Sequence, residues 1–160
     1  MKISISGIRG VYGQDLSLHE VDKYSRLFAQ SIRSGRCVIA RDTRPSGRII
    51  SQVLAGGLMS QGIDVYNLGI APTPAVFREA IKYGAGAIVT ASHNPLEWNG
   101  LKFVFEGRGL FEDELVAMLK SSPGYSGKFG TEHAATSSYV DEIAGLTRSD
   151  ANVRVGIDPG

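Results

Sequence analysis

Apolar residues recur along this chain at two spacings, and the spacing alternates from segment to segment. Leu18, Val21, Phe28 and Ile32 fall on one helical face. Ser17, with Glu20 three residues on, reads as a capping box, and Gly35 stops that helix. The apolar run over 36–40 predicts a short buried strand. Ile50, Val53, Leu54 and Leu58 predict a helix over 47–61, capped by Ser46 and ended by Gly62. A strand over 64–68 follows. A third helix then runs to about Tyr83, with Thr73 as its cap and Pro74 at its first position.

Small and β-branched residues over 85–91 predict a further strand, and 101–105 another. Gly107-Arg108-Gly109 reads as a turn. The segment 112–120 is acidic early and basic late, which suits a helix dipole. A Ser/Gly/Pro-rich loop over 121–128 and a last helix over 137–146 complete the series. Repeated strand–helix–strand units predict an α/β domain with a largely parallel sheet. The strand over 101–105 follows its predecessor with no room for a crossover helix, so it runs antiparallel and makes the sheet mixed. Residues 153–158 read as a fresh strand and Pro159-Gly160 as a turn. The expectation is therefore a domain over 1–150, with 151–160 opening a second one. The competing reading is an edge strand that closes the first domain.

Composition narrows the class. A chain of 160 residues fits one ordinary domain. Its 42% apolar and 21% charged residues are those of a globular protein. A net charge of +1 points to no nucleic-acid or acidic-membrane partner. The single cysteine, Cys37, excludes an intrachain disulfide and sits in an apolar run, so it reads as a buried small hydrophobe. No apolar stretch approaches the length of a membrane span, and the N-terminus lacks an apolar leader core. A cytoplasmic location is expected from these features.

Four segments are richer in Gly, Pro and polar residues than simple connections need: 6–10, 41–47, 71–74 and 90–102. The last three follow predicted strands, where open α/β sheets build their sites. In the fourth, a strand delivers Ser92 into a loop beside His93 and Asn94. Pro95 keeps Asn94 out of the helical region. Lys102 opens the next strand. Such a serine suits nucleophilic or phosphoryl-carrier chemistry, and Ser-His-Asn-Pro equally suits a plain polar turn. A phosphoserine would want charge-assisted partners, which Arg9, Lys102 and Arg41 could supply.

Thr90-Ala91-Ser92-His93-Asn94-Pro95, followed by Asn99-Gly100-Leu101-Lys102, is similar to the signature of the α-D-phosphohexomutases. Ser6-Gly7-Ile8-Arg9-Gly10, Arg41-Asp42-Thr43-Arg44-Pro45-Ser46-Gly47 and Pro72-Thr73-Pro74 resemble that family's other segments, in its order. The resemblance extends to Val155-Gly156-Ile157-Asp158-Pro159-Gly160, which looks like the opening strand of the family's second domain.

The resemblance implies a three-layer α/β/α first domain with a small mixed, mostly parallel sheet. It also implies an isomerase that moves phosphate between C1 and C6 of a hexose phosphate through a bisphosphate intermediate. Ser92 would carry the phosphoryl group and give Mg²⁺ one ligand through a phosphate oxygen. Arg9 and Lys102 would bind phosphate or substrate and assist charge and proton transfer, His93 would support as a hydrogen-bond or acid/base group, and Asn94 would hold the loop and contact substrate.

The partners implied are a hexose phosphate, its bisphosphate and the remaining domains of the enzyme. The remaining metal ligands would lie outside this chain, which on its own is expected to be inactive. The wording of 4–10 and of Trp98-Asn99 leans toward phosphoglucosamine-mutase-like members. A non-catalytic sugar-phosphate binding module is the rival reading. Asp42, Arg41 and Arg44 read as an ion-pair cluster behind the loop, His19 and His133 as surface residues, and Trp98 as loop packing.

Overall fold

A computed structural model describes residues 1–124, 127–146 and 154–158. Its elements in chain order are β1 (Lys2–Ser4), β2 (Gly7–Val11), α1 (Leu18–Ala29), β3 (Arg36–Arg41), α2 (Gly47–Met59), β4 (Asp64–Ile70) and α3 (Thr73–Tyr83). There follow β5 (Ala85–Val89), β6 (Trp98–Phe105), β7 (Arg108–Gly109), α4 (Glu112–Lys120), β8 (Glu132–Ala134) and α5 (Tyr139–Leu146). Among the described residues the strands form one mixed sheet in the order β1-β2-β6-β5-β3-β4-β8, with β7 beside β6. β3 pairs parallel with β4 and β5, and β4 with β8. β6 runs antiparallel to β5, as the short connection required, and also to β2 and β7.

Two cores separate the three layers. On one face Val21, Leu27 and Phe28 of α1 and Ile50, Leu54 and Leu58 of α2 pack on Ile8, Ile39, Val89 and Leu101 of the sheet. Phe28 stacks on Phe103 with ring centroids 4.3 Å apart. α1 and α2 approach closely because Gly57 has no side chain: a Cβ there would lie 2.6 Å from Ser25 Cβ. On the other face Val76, Ala80 and Tyr83 of α3 cover Val38, Ala40, Ile88 and Val104. α5 adds to this layer through the Arg78–Glu142 ion pair with α3.

Several local readings shift. Ser17 accepts the Glu20 N–H at 3.2 Å, while the Glu20 carboxylate sits 3.7 Å from Lys23 rather than closing a capping box. α1 ends at Ala29, not before Gly35, because Ser31 and Ile32 donate to the carbonyls of Phe28 and Ala29 in tighter turns. Pro72, not Thr73, is the N-cap of α3. The turn expected at 107–109 is a two-residue hairpin at Glu106-Gly107, both at positive φ, that joins β6 to β7.

The short strands β1, β2, β7 and β8 lack the apolar runs that revealed the others. Residues 154–158 are exposed and form no strand among the described residues; an extended segment becomes a strand only by pairing. The rest of the segment 151–160 lies outside the described residues.

Candidate active site

Parallel strands place their carboxyl ends together, and three of the polar segments meet there. Asp42 N–H donates to Val89 O at 3.0 Å, and Ala71 N–H to Arg41 O at 3.2 Å. The loop from Thr90 to Gly100 therefore leaves β5 beside the end of β3 and returns as β6. Thr90 N–H to Gly100 O, at 3.0 Å, closes its base.

At the tip, Ser92 is exposed with φ of +58°, a left-handed conformation that a serine adopts at a cost. A chain of hydrogen bonds holds it there. Ser92 N–H donates to Thr90 Oγ1 at 3.0 Å, and the Thr90 hydroxyl donates to Asp42 Oδ2 at 2.7 Å. Asp42 also accepts the Arg44 N–H at 3.0 Å and Arg44 Nε at 3.1 Å. Arg44, only 7% exposed, reaches under the loop. Its Nη2 donates to the carbonyls of Ser92 at 2.9 Å and Asn94 at 2.6 Å. Its Nη1 donates to Trp98 O at 3.1 Å and to Pro95 O.

The other loop residues take distinct places. His93 is exposed, and its Nδ1 lies 3.4 Å from Ser92 Oγ. Asn94 is half-buried and donates from Nδ2 to Ala91 O at 2.7 Å, so it braces the loop. Asn99 is fully buried and donates to Ser46 Oγ at 2.9 Å. That bond occupies the hydroxyl expected to cap α2; Ser46 itself has helical φ and ψ and makes no side-chain cap.

Arg9 and Lys102 share one face of the sheet. Lys102 pairs with Ile88, which belongs to the α3 core, and Gly100, two residues back, points the same way. Arg9 pairs with Gly100 and lays its stem across it: a Cβ on Gly100 would be 3.0 Å from Arg9 Cγ. Both cations are half-buried. Arg9 donates to Ser6 O at 3.3 Å, and the Lys102 ammonium has no partner among the described residues. Arg41 does not join them. It pairs with Val89, on the α2 face, and its stem packs against Gly47. It therefore cannot supply the third cation the sequence suggested.

The sequence reading made Asp42, Arg41 and Arg44 an ion-pair cluster behind the loop; Asp42 and Arg44 pair there at 3.1 Å, whereas Arg41 donates to the Asp42 carbonyl at 3.0 Å and joins no ion pair among the described residues. That reading did not anticipate Arg44 as the donor to four loop carbonyls, nor Thr90 and Asn99 as supports. An arginine two residues after an aspartate at a strand end was the available signal. His133 is exposed and stacks on Tyr66 at 5.1 Å, far along the sheet in β8. Among the described residues no group of three or more His, Cys, Asp or Glu side chains is placed to hold a metal.

A family model described as phosphoglucomutase/phosphomannomutase, alpha/beta/alpha domain I, matches residues 1–121. The chain belongs to this family. It is 34% identical to a phosphoglucosamine mutase of Clostridioides difficile, over 90% of this chain and 36% of the relative. It is 34% identical to a phosphoglucosamine mutase of Finegoldia magna, over 96% of this chain and 38% of the relative. The chain thus spans little more than a third of these relatives. Among solved structures, a phosphoglucomutase/phosphomannomutase family protein from Burkholderia thailandensis superposes with a TM-score of 0.74 at 29% identity, over 90% of this chain and 36% of that one. The three-layer α/β/α architecture with a mixed sheet is the one this family uses for its first domain.

Proposed function

We propose that this chain is the phosphoserine-bearing domain of a phosphohexomutase, and that Ser92 is its phosphoryl carrier. The observation that carries this is the Ser92 loop: an exposed hydroxyl at the tip, on backbone fixed in the left-handed region, at the carboxyl end of the sheet. Phosphoryl transfer is governed by positioning and electrostatics, and this loop supplies positioning.

In the reaction, phospho-Ser92 gives its phosphoryl group to the free hydroxyl of a sugar monophosphate. The P–O bond to Ser92 breaks as one to the sugar forms. The resulting bisphosphate turns over and returns its other phosphate to Ser92, so phosphate moves between C1 and C6. Arg9 and Lys102, on one face beside the loop, attract the phosphates. His93 Nδ1, next to Ser92 Oγ, is placed to exchange its proton. Mg²⁺ would offset phosphate charge when bound; the described residues do not make its site, and a Ser92 phosphate oxygen would be a single ligand.

The relatives named phosphoglucosamine mutase support a hexosamine phosphate as substrate. No helix of the described residues is long and apolar enough to cross a membrane. The single cysteine of the sequence, Cys37, allows no intrachain disulfide, which supports a reducing, cytoplasmic compartment. The test is intact-mass analysis of the full enzyme after incubation with a hexosamine bisphosphate. Wild type should carry one phosphate and Ser92→Ala none, while the 160-residue chain alone shows no mutase turnover. An equal adduct on both proteins rules out Ser92, and no adduct on either favours a binding module.

A further inference from the structure

We infer that Arg44 is a positioning residue for phosphoryl transfer: it fixes the Ser92 loop in its reactive shape without touching substrate. The inference rests on Ser92 being the phosphoryl carrier and concerns how its hydroxyl is aimed.

Arg44 is one of two buried charged side chains among the described residues, and its guanidinium faces the loop. A guanidinium offers five N–H donors in a rigid plane. Here Nε is spent on Asp42, and the two terminal nitrogens reach four loop carbonyls, those of Ser92, Asn94, Pro95 and Trp98. Those carbonyls span the loop from its tip to its return into β6. A single group therefore fixes the loop's curvature at several points. The Asp42 carboxylate closes the network from the other side, since it also holds Thr90, whose hydroxyl oxygen takes the Ser92 N–H. Both peptide groups of Ser92 are thus tied to the Asp42–Arg44 pair, one directly and one through Thr90.

This matters because Ser92 sits at φ of +58°. A serine released from its ties relaxes toward negative φ, and its hydroxyl swings away from the position set by the loop. Lysine cannot replace the arginine. Its ammonium is a point charge with three donors on a flexible stem, so it cannot reach four carbonyls and a carboxylate together.

The test uses the full enzyme with its hexose phosphate and a bisphosphate activator. Arg44→Lys should lower kcat about 100-fold, the scale of a 1 Å misplacement at a reacting centre. KM should stay within about twofold, because the contacts to sugar and phosphate are not Arg44's. Phosphate uptake by Ser92, followed by intact mass, should slow in step with kcat. Thr90→Val removes the support of the Ser92 N–H and its link to Asp42 while leaving Arg44 on the loop carbonyls, and should lower kcat about tenfold, the scale of a fraction of that misplacement. It decides the question if Arg44→Lys does not fold.

Leu115→Ala, a core truncation in α4, is the control: it should lower the melting temperature and leave kcat near wild type. Folded Arg44→Lys and Thr90→Val enzymes with wild-type kcat and uptake would overturn the positioning role while leaving Ser92 as carrier. A loss of kcat in Leu115→Ala matching that of Arg44→Lys at equal melting temperature would also overturn it. Wild type that takes no phosphate on Ser92 overturns the carrier reading, and the role of Arg44 with it.

Discussion

Replacing Gly100 by alanine tests the join between fold and site. Gly100 lies in β6 opposite Arg9 of β2, where the strands carry the loop back into the sheet. A Cβ there would sit 2.4 Å from Ile8 O, 3.0 Å from Arg9 Cγ and 3.1 Å from Thr90 O. An ordinary carbon-to-oxygen contact is about 3.3 Å, so the nearest approach is short by roughly 0.9 Å. The Arg9 side chain can swing aside, but two of the three neighbours are backbone oxygens and cannot. The φ of Gly100 is not in the left-handed region, so alanine brings a steric penalty rather than a conformational one.

Overpacking of this kind costs about 1–3 kcal/mol. At about 2–4 °C per kcal/mol for a chain of this size, the melting temperature should fall by roughly 2–12 °C. Circular dichroism of Gly100→Ala against wild type measures this. In the full enzyme the same variant should raise KM, because Arg9 must leave its seat across Gly100. An unchanged melting temperature together with an unchanged KM would show that β2 is not held against β6 as described.

The pair Arg108–Glu114 predicts an acid effect. The Arg108 guanidinium, bonded at 2.7 and 2.8 Å, holds the Glu114 carboxyl at about 2 against an ordinary value of 4.5. A depressed pKa stabilises the fold above the unfolded value and loses that contribution as pH falls from 4.5 toward 2. Arg108→Gln should therefore be less stable than wild type at neutral pH, with the gap narrowing below about pH 3, as urea unfolding at the two pH values would show; a gap independent of pH contradicts the pairing. Cys37 has no exposed surface and burial pushes its thiol up, so a thiol reagent should label it only when the chain unfolds. Labelling of the native chain at the rate of a free thiol would contradict its burial.

What the sequence made legible follows from which signals are local. The helical periodicities of Val21 to Phe28 and Ile50 to Leu58 and the apolar run at β3 were local, and the elements lie where those patterns put them. Strand β2 was not legible. Gly7-Ile8-Arg9-Gly10 is too short and glycine-rich to look like a strand, and it becomes one only by pairing with β1 and β6. β8 is likewise exposed on all its residues and defined by its ladder to β4. The site divided in the same way. Ser92, His93 and Asn94 were visible as a contiguous motif. The relation of Arg9 to Lys102 depends on strand register, and so does the choice between the two readings of Arg41, third cation or member of the cluster with Asp42 and Arg44: Asp42 faces the loop while Arg41 faces α2.

Arg44 shows why a buried cation can serve a site that it does not enter. A phosphoserine carries close to two negative charges, and nearby carbonyl oxygens would repel it. In this loop the carbonyls of Ser92, Asn94, Pro95 and Trp98 all turn inward onto Arg44. Their negative ends therefore face the protein, and the outer surface near the hydroxyl is cleared of them. The charge of Arg44 is itself offset by Asp42 at 3.1 Å, so it gathers the carbonyls without acting as a strong counter-ion that would hold the phosphate back. On the proposed reading, the half-buried cations Arg9 and Lys102 are then left to meet a phosphate that has to arrive and depart. Dipoles fixed below the serine, with the cations carried on β2 and β6, would suit a group transferred twice in each turnover, as the proposed reaction requires.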